Sequence, residues 1–318
     1  MSGNDTVPEL SVIDKRAIIL STIVFLLCLV AVVGNGFIIV ALGMEWWRRR
    51  LLSPCDQLLV SLGVSRFCLQ WVVICKSIYA FLYPEVFLYN PVLLFLAFQW
   101  DFWNAATLWF CSWLSVFYCV KIATLTHPVF LWLKRKVSGL VPWMLLSSVG
   151  FSSLSTILFC IGNHNIYQND LRSGLQSWNV TGDAVGRTYE NFFFRLKIVT
   201  WTVPTVVFLT GMVLLITSLG RHAKKTFLSI SGSRDPRSQA HIKALLALSS
   251  FTILFTYSFL SLMLKATGVF PSQEFKHGVW QAGIYLCTAV HPIILLMSNP
   301  RLTAVLVRGC SLRRAGAS

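Results

Sequence analysis

Long runs without a charged residue alternate with short polar margins along the chain. They extend from Ala17 to Met44, Val86 to Trp100, Phe102 to Val120, Val137 to Asn169, Ile198 to Gly220, Ala244 to Leu264 and His277 to Pro300. Most exceed the ~20 residues that a bilayer-spanning helix needs. Only Asp101 parts the second run from the third, so one helix is predicted from about Pro91 to Lys121. A further span, about Asp56 to Tyr83, is apolar except for Arg66 and Lys76. Backbone polar groups in hydrocarbon must be satisfied within the segment, and the period-two alternation of a membrane barrel is absent. The expected fold is therefore an all-α membrane protein, a seven-transmembrane helix bundle forming a single domain over residues 1–318.

Composition agrees with this pattern. Apolar residues make up 55% of the 318 and charged residues 12%, against roughly 25% charged in soluble proteins. The charges that remain are informative by position. With the amino terminus outside, the cytoplasmic margins hold 17 of the 27 Lys and Arg, the external margins 8 (Lys197 among them), and the second helix the other two. That bias fixes the orientation. Two glycosylation patterns, at Asn4 and Asn179, fall on the external side. The first apolar run lies behind 16 mixed residues and has no small-residue cleavage site, so it is expected to stay as a helix. The topology expected is an extracellular amino terminus (1–16), a long extracellular loop (162–195), a cytoplasmic loop (220–241) and a cytoplasmic tail (300–318). In the tail, Asn299 caps a short amphipathic helix whose Leu302, Val305, Leu306 and Leu312 oppose Arg301 and Arg308 along the membrane surface. Against 17 basic residues the cytoplasmic side carries three acids, Glu45, Asp56 and Asp235. Such a face suits anionic membrane lipid or a protein partner, and nucleic acid drops out as an explanation of the net charge of +15.

All nine cysteines fall in predicted spans or cytoplasmic ends, so no disulfide is expected in the long external loop. No Cys-x-x-Cys pair and no His cluster of metal spacing occurs, and no cofactor is expected. An intramembrane protease would need paired acids or a Ser and His pair; a retinal protein would need a Lys in the last helix, which has none. A transporter would show repeated halves with interrupted helices. A receptor is the leading class and an enzyme is not expected; a small-solute transporter or channel is the alternative from another class.

Several blocks carry a more specific resemblance. They are Gly34-Asn35-Gly36, LLVSLGVSRFCLQ (Leu58 to Gln70), LSVFYCVKIATLTHPVFLWLKRK (Leu114 to Lys136), LLITSLGRHAKK (Leu214 to Lys225), QAHIKALLALSSF (Gln239 to Phe251) and HPIILLMSNPRL (His291 to Leu302). Together these resemble the type 2 taste receptors, the bitter receptors of the G-protein-coupled class, over essentially the whole chain. A vomeronasal type 1 chemoreceptor shares the overall plan and lacks this combination. The resemblance implies small bitter agonists bound among the outer halves of the helices, and a heterotrimeric G protein of the gustducin type at the cytoplasmic face.

Arg66 in mid-helix costs about 2.5–3.5 kcal/mol on insertion scales and should face the bundle. Asn35 is its candidate partner. The two can act as glue between helices, and the resemblance implies that they also set resting and active arrangements. Tyr118 and Lys121 stand where the third helix meets the cytoplasm; Lys121 can simply snorkel, or serve the G-protein face as the family motif implies. Leu215, Ser218, Leu219 and, one turn on, His222 match the family's motif at the end of the fifth helix. His291-Pro292 combine a titratable ring with a helix-bending imide in the seventh. For the ligand, Trp100 and Asn104 share one helical face and match the family's Trp-x-x-x-Asn pair. Asp101, beside them, either meets a cationic agonist or is held by Lys76. Gln281 stands where some relatives carry a Glu. Phe255 replaces a Tyr common in the family, which places a toggle role there in doubt.

Overall fold

A computed structural model describes residues 7–83, 90–123, 128–174, 181–229, 236–266 and 275–298, together with 302, 303 and 305. It contains seven helices: α1 (Val7–Arg49), α2 (Pro54–Leu82), α3 (Pro91–Ile122), α4 (Pro128–Gly174), α5 (Thr181–Ser229), α6 (Pro236–Ala266) and α7 (Phe275–Ser298). Six contain stretches long and apolar enough to cross a membrane, and α7 contributes the shorter apolar stretch Ala282–Met297. No strand occurs among the described residues.

Local chemistry explains the sharpest boundaries. Asn90 accepts the Val92 backbone N–H at 2.9 Å, and Pro91 occupies the first helical position of α3, where its missing N–H costs nothing. Ser53 and Pro54 repeat the arrangement at α2. There the Ser53 hydroxyl accepts the Asp56 N–H at 3.2 Å and donates to its carboxylate at 2.6 Å. Other ends lie beyond the apolar runs. Helices α4 and α5 reach well into the segment expected as the 162–195 external loop, and α5 and α6 into the 220–241 loop. Apolar runs report the thickness of hydrocarbon, about 30 Å, whereas the 49 residues of α5 span about 73 Å at 1.5 Å per residue.

Helix α3 is the axis of the bundle. It packs against α2, α4 and α5, while α1 closes the ring against α2 and α7, and α6 lies between α5 and α7. Many large apolar side chains point outward, as with Val33, Trp143 and Ile253, all more than 65% exposed, while others, Trp201 and Phe208 among them, fill the core. Small and polar ones point inward: Ser65, Ser112, Ser115, Ser148, Ser152 and Ser155 are buried. An apolar exterior around buried serines is expected when the solvent is lipid, because close approach and interhelical hydrogen bonds then replace hydrophobic segregation. Ser112 donates across to the Pro204 carbonyl of α5 at 2.5 Å, and Ser115 to the Phe208 carbonyl at 2.9 Å. The two backbones come so near that a Cβ on Gly211 would lie 3.3 Å from the Ser115 carbonyl carbon. On the other side, Gly34 of α1 lets Pro292 of α7 approach to 3.0 Å of the place a Cβ would take.

Beyond α7, Leu302 is buried in the central apolar cluster with Val305 packed against it, and Thr303 donates to the Leu296 carbonyl at 2.7 Å. The start of the tail thus docks on the bundle. Leu302 faces the protein interior rather than the membrane surface, correcting that part of the amphipathic expectation. Asn4, Asn179, Asn299, Pro300, Arg301 and the tail from Leu306 onward lie outside the described residues.

Candidate ligand cavity and cytoplasmic crevice

Four helices each turn one face toward a cavity in the outer half of the bundle. From α2 come Arg66, Leu69, Gln70 and Val73; from α3, Trp100, Asn104, Thr107 and Leu108. From α6 come Phe251, Leu254, Phe255, Ser258, Phe259 and Leu262, and from α7 Ile284, Tyr285, Cys287, Thr288 and His291. All four sets follow the three- and four-residue spacing of a single helical face. The cavity holds about 110 Å³, well below the roughly 300–1,000 Å³ typical of small-molecule sites. Its polar groups are few and placed. Gln70 donates from Nε2 to Thr288 Oγ1 at 3.2 Å, leaving its Oε1 buried without a partner. Asn104 is 6% exposed and its Nδ2 has no partner either. Unpaired buried groups of this kind cost free energy until something pairs them.

A thin layer floors the cavity. Arg66 reaches His291 with Nη1 against Nδ1, and its Nη2 lies 3.4 Å from Cys111 Sγ. The His291 ring packs 4.2 Å from that of Phe251; Phe208 follows at 5.2 Å from Phe251 and 3.9 Å from Phe255. Below the layer lies a second cavity of about 270 Å³, the cytoplasmic crevice. Leu114, Ser115, Tyr118 and Ile122 of α3 line it with Met212 of α5, Ala244, Ala247 and Leu248 of α6, and Ile294 and Leu295 of α7. Phe251 and His291 line both cavities.

The sequence-based candidates divide between these places. Trp100 and Asn104 both line the outer cavity from one face of α3. Asp101 does not. It is fully buried and turned toward α4 and α5, where it forms an ion pair with Lys197 and accepts from Ser155 at 3.1 Å. Lys76 is exposed on α2 and does not hold it. Nor does Lys197 belong to the external margin: it lies 5% exposed within the α5 span, with its ammonium over the rings of Trp201 (4.8 Å), Phe159 (5.1 Å) and Trp100 (5.8 Å). Asn35 is likewise not the partner of Arg66. It is buried, and its Nδ2 donates to the Ala31 carbonyl of its own helix at 2.8 Å. The hydroxyl of Tyr118, which lines the crevice, meets Cys55 Sγ at 3.4 Å, and Lys121 is exposed near the cytoplasmic end of α3. Leu215, Ser218 and Leu219 form a buried inward face of α5 and do not line the crevice. Pro292 is buried against Gly34. The side chains of Gln281 and His222 lie outside the described residues, although their backbones continue α7 and α5.

Sequence reasoning missed Gln70, Thr288, Tyr285 and Lys197. Gln70 closes a quoted motif, and its position one turn beyond Arg66 was the available signal. Phe255, which departs from the Tyr common in the family, lines the cavity and packs on Phe208 with the ring centroids 3.9 Å apart.

Seven helices around a central α3, an aromatic cavity toward the outside, a crevice toward the cytoplasm and one side-chain layer between them define a seven-transmembrane receptor. The family model for Taste receptor protein (TAS2R) matches residues 12–310. Taste receptor type 2 member 60 of Homo sapiens is 66% identical, covering 96% of each chain, and that of Gorilla gorilla gorilla is 64% identical over 99% of each. Taste receptor type 2 member 135 of Mus musculus is 58% identical, covering 98% of this chain and 100% of its own. The chain belongs to the type 2 taste receptor family: it is a multi-pass membrane receptor of the plasma membrane and not an enzyme.

Proposed function

We propose that this receptor binds small bitter compounds in the outer cavity and, through the shared Phe251–His291 layer, opens the cytoplasmic crevice to a heterotrimeric G protein of the gustducin type. The observation that carries the proposal is that one pair of side chains walls both cavities. A ligand that displaces Phe251 from above alters the crevice from below. Tyr118, lining the crevice, and Lys121, near the cytoplasmic end of α3, are the α3 residues best placed to meet the G protein.

Cavity chemistry narrows the agonist. Arg66 is the one charged group among the described lining residues, and Asp101 is committed to Lys197. Uncharged or anionic molecules are therefore favoured over cations. They would offer an acceptor to Asn104 Nδ2 and a donor to Gln70 Oε1, set on a scaffold that stacks against Trp100 and Phe255.

The test uses the purified receptor in nanodiscs with a gustducin-type heterotrimer and a panel of bitter compounds. An agonist is expected to accelerate nucleotide exchange, and Asn104→Ala or Gln70→Ala to weaken its potency about tenfold each, the worth of one to two buried hydrogen bonds. Movement of the compound across the membrane with no effect on nucleotide exchange would replace this reading with a transporter or channel.

A further inference from the structure

We propose that the cytoplasmic end of α1 forms, with α2 and α4, a site for the headgroup of an anionic glycerophospholipid of the inner leaflet, with Arg50 meeting the phosphate. A groove of about 430 Å³ lies there, lined chiefly by Trp46, Arg50, Leu52, Gln57, Ser61 and Leu145. Trp46, Leu52 and Leu145 supply an apolar wall suited to the upper part of an acyl chain. Arg50 and Ser61 supply donors suited to phosphate and ester oxygens, whereas the Gln57 amide donates to the Leu52 carbonyl at 3.3 Å.

Arg50 itself is the unusual residue. Its φ is 53°, the one positive value for a non-glycine among the described residues. Its N–H closes the last turn of α1 on the Trp46 carbonyl at 2.7 Å. Left-handed residues just past a helix end are usually glycine, which has no Cβ to crowd the backbone. Arginine here gives up that ease and places a charged side chain on the groove wall. The guanidinium carbon lies 5.1 Å from the Trp47 ring centroid, and no carboxylate pairs with it among the described residues. The nearby acids are otherwise engaged: Asp56 is buried and takes the Ser53 hydroxyl, and Glu45 has its own interaction. Arg48, Arg49 and Arg50 run consecutively beside Trp46 and Trp47, an aromatic and basic margin at headgroup depth. Charge complementarity with the anionic inner leaflet names the occupant.

The test reconstitutes the full-length receptor in phosphatidylcholine nanodiscs doped with phosphatidylserine and measures co-retained lipid by native mass spectrometry. Wild type is expected to retain phosphatidylserine over phosphatidylcholine, and Arg50→Ala to lose about fivefold of that preference. Ser61→Phe and Leu145→Phe, which fill the groove and keep all three arginines, are expected to lose it too, whereas soluble glycerophosphoserine should not displace the lipid. Either groove-filling variant that reaches the surface serves. An unchanged preference in Arg50→Ala overturns the proposal. So does equal loss in Arg48→Ala and Arg50→Ala with the groove-filling variants unaffected, the mark of diffuse attraction. Displacement by glycerophosphoserine would show a soluble-anion site and overturn the lipid assignment.

Discussion

Replacing Asp101 by Asn leaves Lys197 buried in the membrane with no countercharge. The Lys197 side chain is 6% exposed and that of Asp101 0%, so water cannot repair the loss. Breaking such a pair from one side typically costs 3–5 kcal/mol. Three aromatic rings within 6 Å of Lys197 Nζ retain part of the cation's stabilisation, each worth about 0.5–2 kcal/mol. The net loss therefore falls near the low end, about 3 kcal/mol, or more than a hundredfold in the folded-to-unfolded ratio. Removing both charges together, with Asp101→Leu and Lys197→Met, leaves no orphan and should recover most of it, since apolar replacement of a whole buried pair is often neutral or better. Buried Cys28, Cys111, Cys119 and Cys287 provide the readout, because a thiol-reactive dye reaches them only on unfolding. The expected order of thermal stability is wild type and double variant together, with both single variants well below. Single variants as stable as wild type would refute the argument, as would a double variant no better than either single. Agonist response adds an independent check. Because Asp101 faces α4 and α5, Asp101→Asn should affect charged and uncharged agonists alike; selective loss of cationic agonists would return the carboxylate to the ligand site.

Three further outcomes follow from the bundle's interior. Arg66→Leu removes a charge that costs about 2.5–3.5 kcal/mol to insert and strips His291 of its partner, so surface expression should hold or rise while agonist response falls; unchanged potency by calcium imaging would limit Arg66 to holding helices together. Phe251→Ala deletes the shared wall and is expected to raise agonist-independent nucleotide exchange, whereas Phe259→Ala, which touches only the outer cavity, should leave that basal rate alone. Gly211→Leu forces a side chain into the Ser115 backbone and should destabilise by at least the 1–3 kcal/mol of an overpacked core, measurable as a lower unfolding temperature.

Legibility in the sequence depended on whether a feature was local. Both ends of α3 were readable to within a residue, since Asn90-Pro91 cap it and Lys121 marks the polar margin. The length of α5 was not, because its water-exposed turns carry no apolar signature and α4 resumes helix where polar sequence suggested loop. That hidden length misplaced Lys197. Seen as a neighbour of Arg195 it belongs to the margin; measured from Thr181 it lies more than four turns into a helix, at the depth of Asp101. Trp100 and Asn104 were recoverable from spacing on one helix. The pairings of Arg66 with His291 and of Gln70 with Thr288 join residues more than 200 positions apart, and nothing in either segment alone specifies the other.

The partition formed by Phe251 and His291 makes the two compartments trade space. With a ring as their common wall, volume added above is volume withdrawn below unless the helices themselves separate. An upper chamber of about 110 Å³ must enlarge to take a ligand of ordinary size, by movement of that wall, of the other lining side chains or of the helices. Where the wall moves, an occupant of the lower chamber feels the ligand, and the dependence is mutual: coupling between two sites carries the same free energy in both directions. A peptide wedged into the crevice would accordingly change the affinity of the chamber above it by the same factor by which a molecule in that chamber changes the affinity of the crevice.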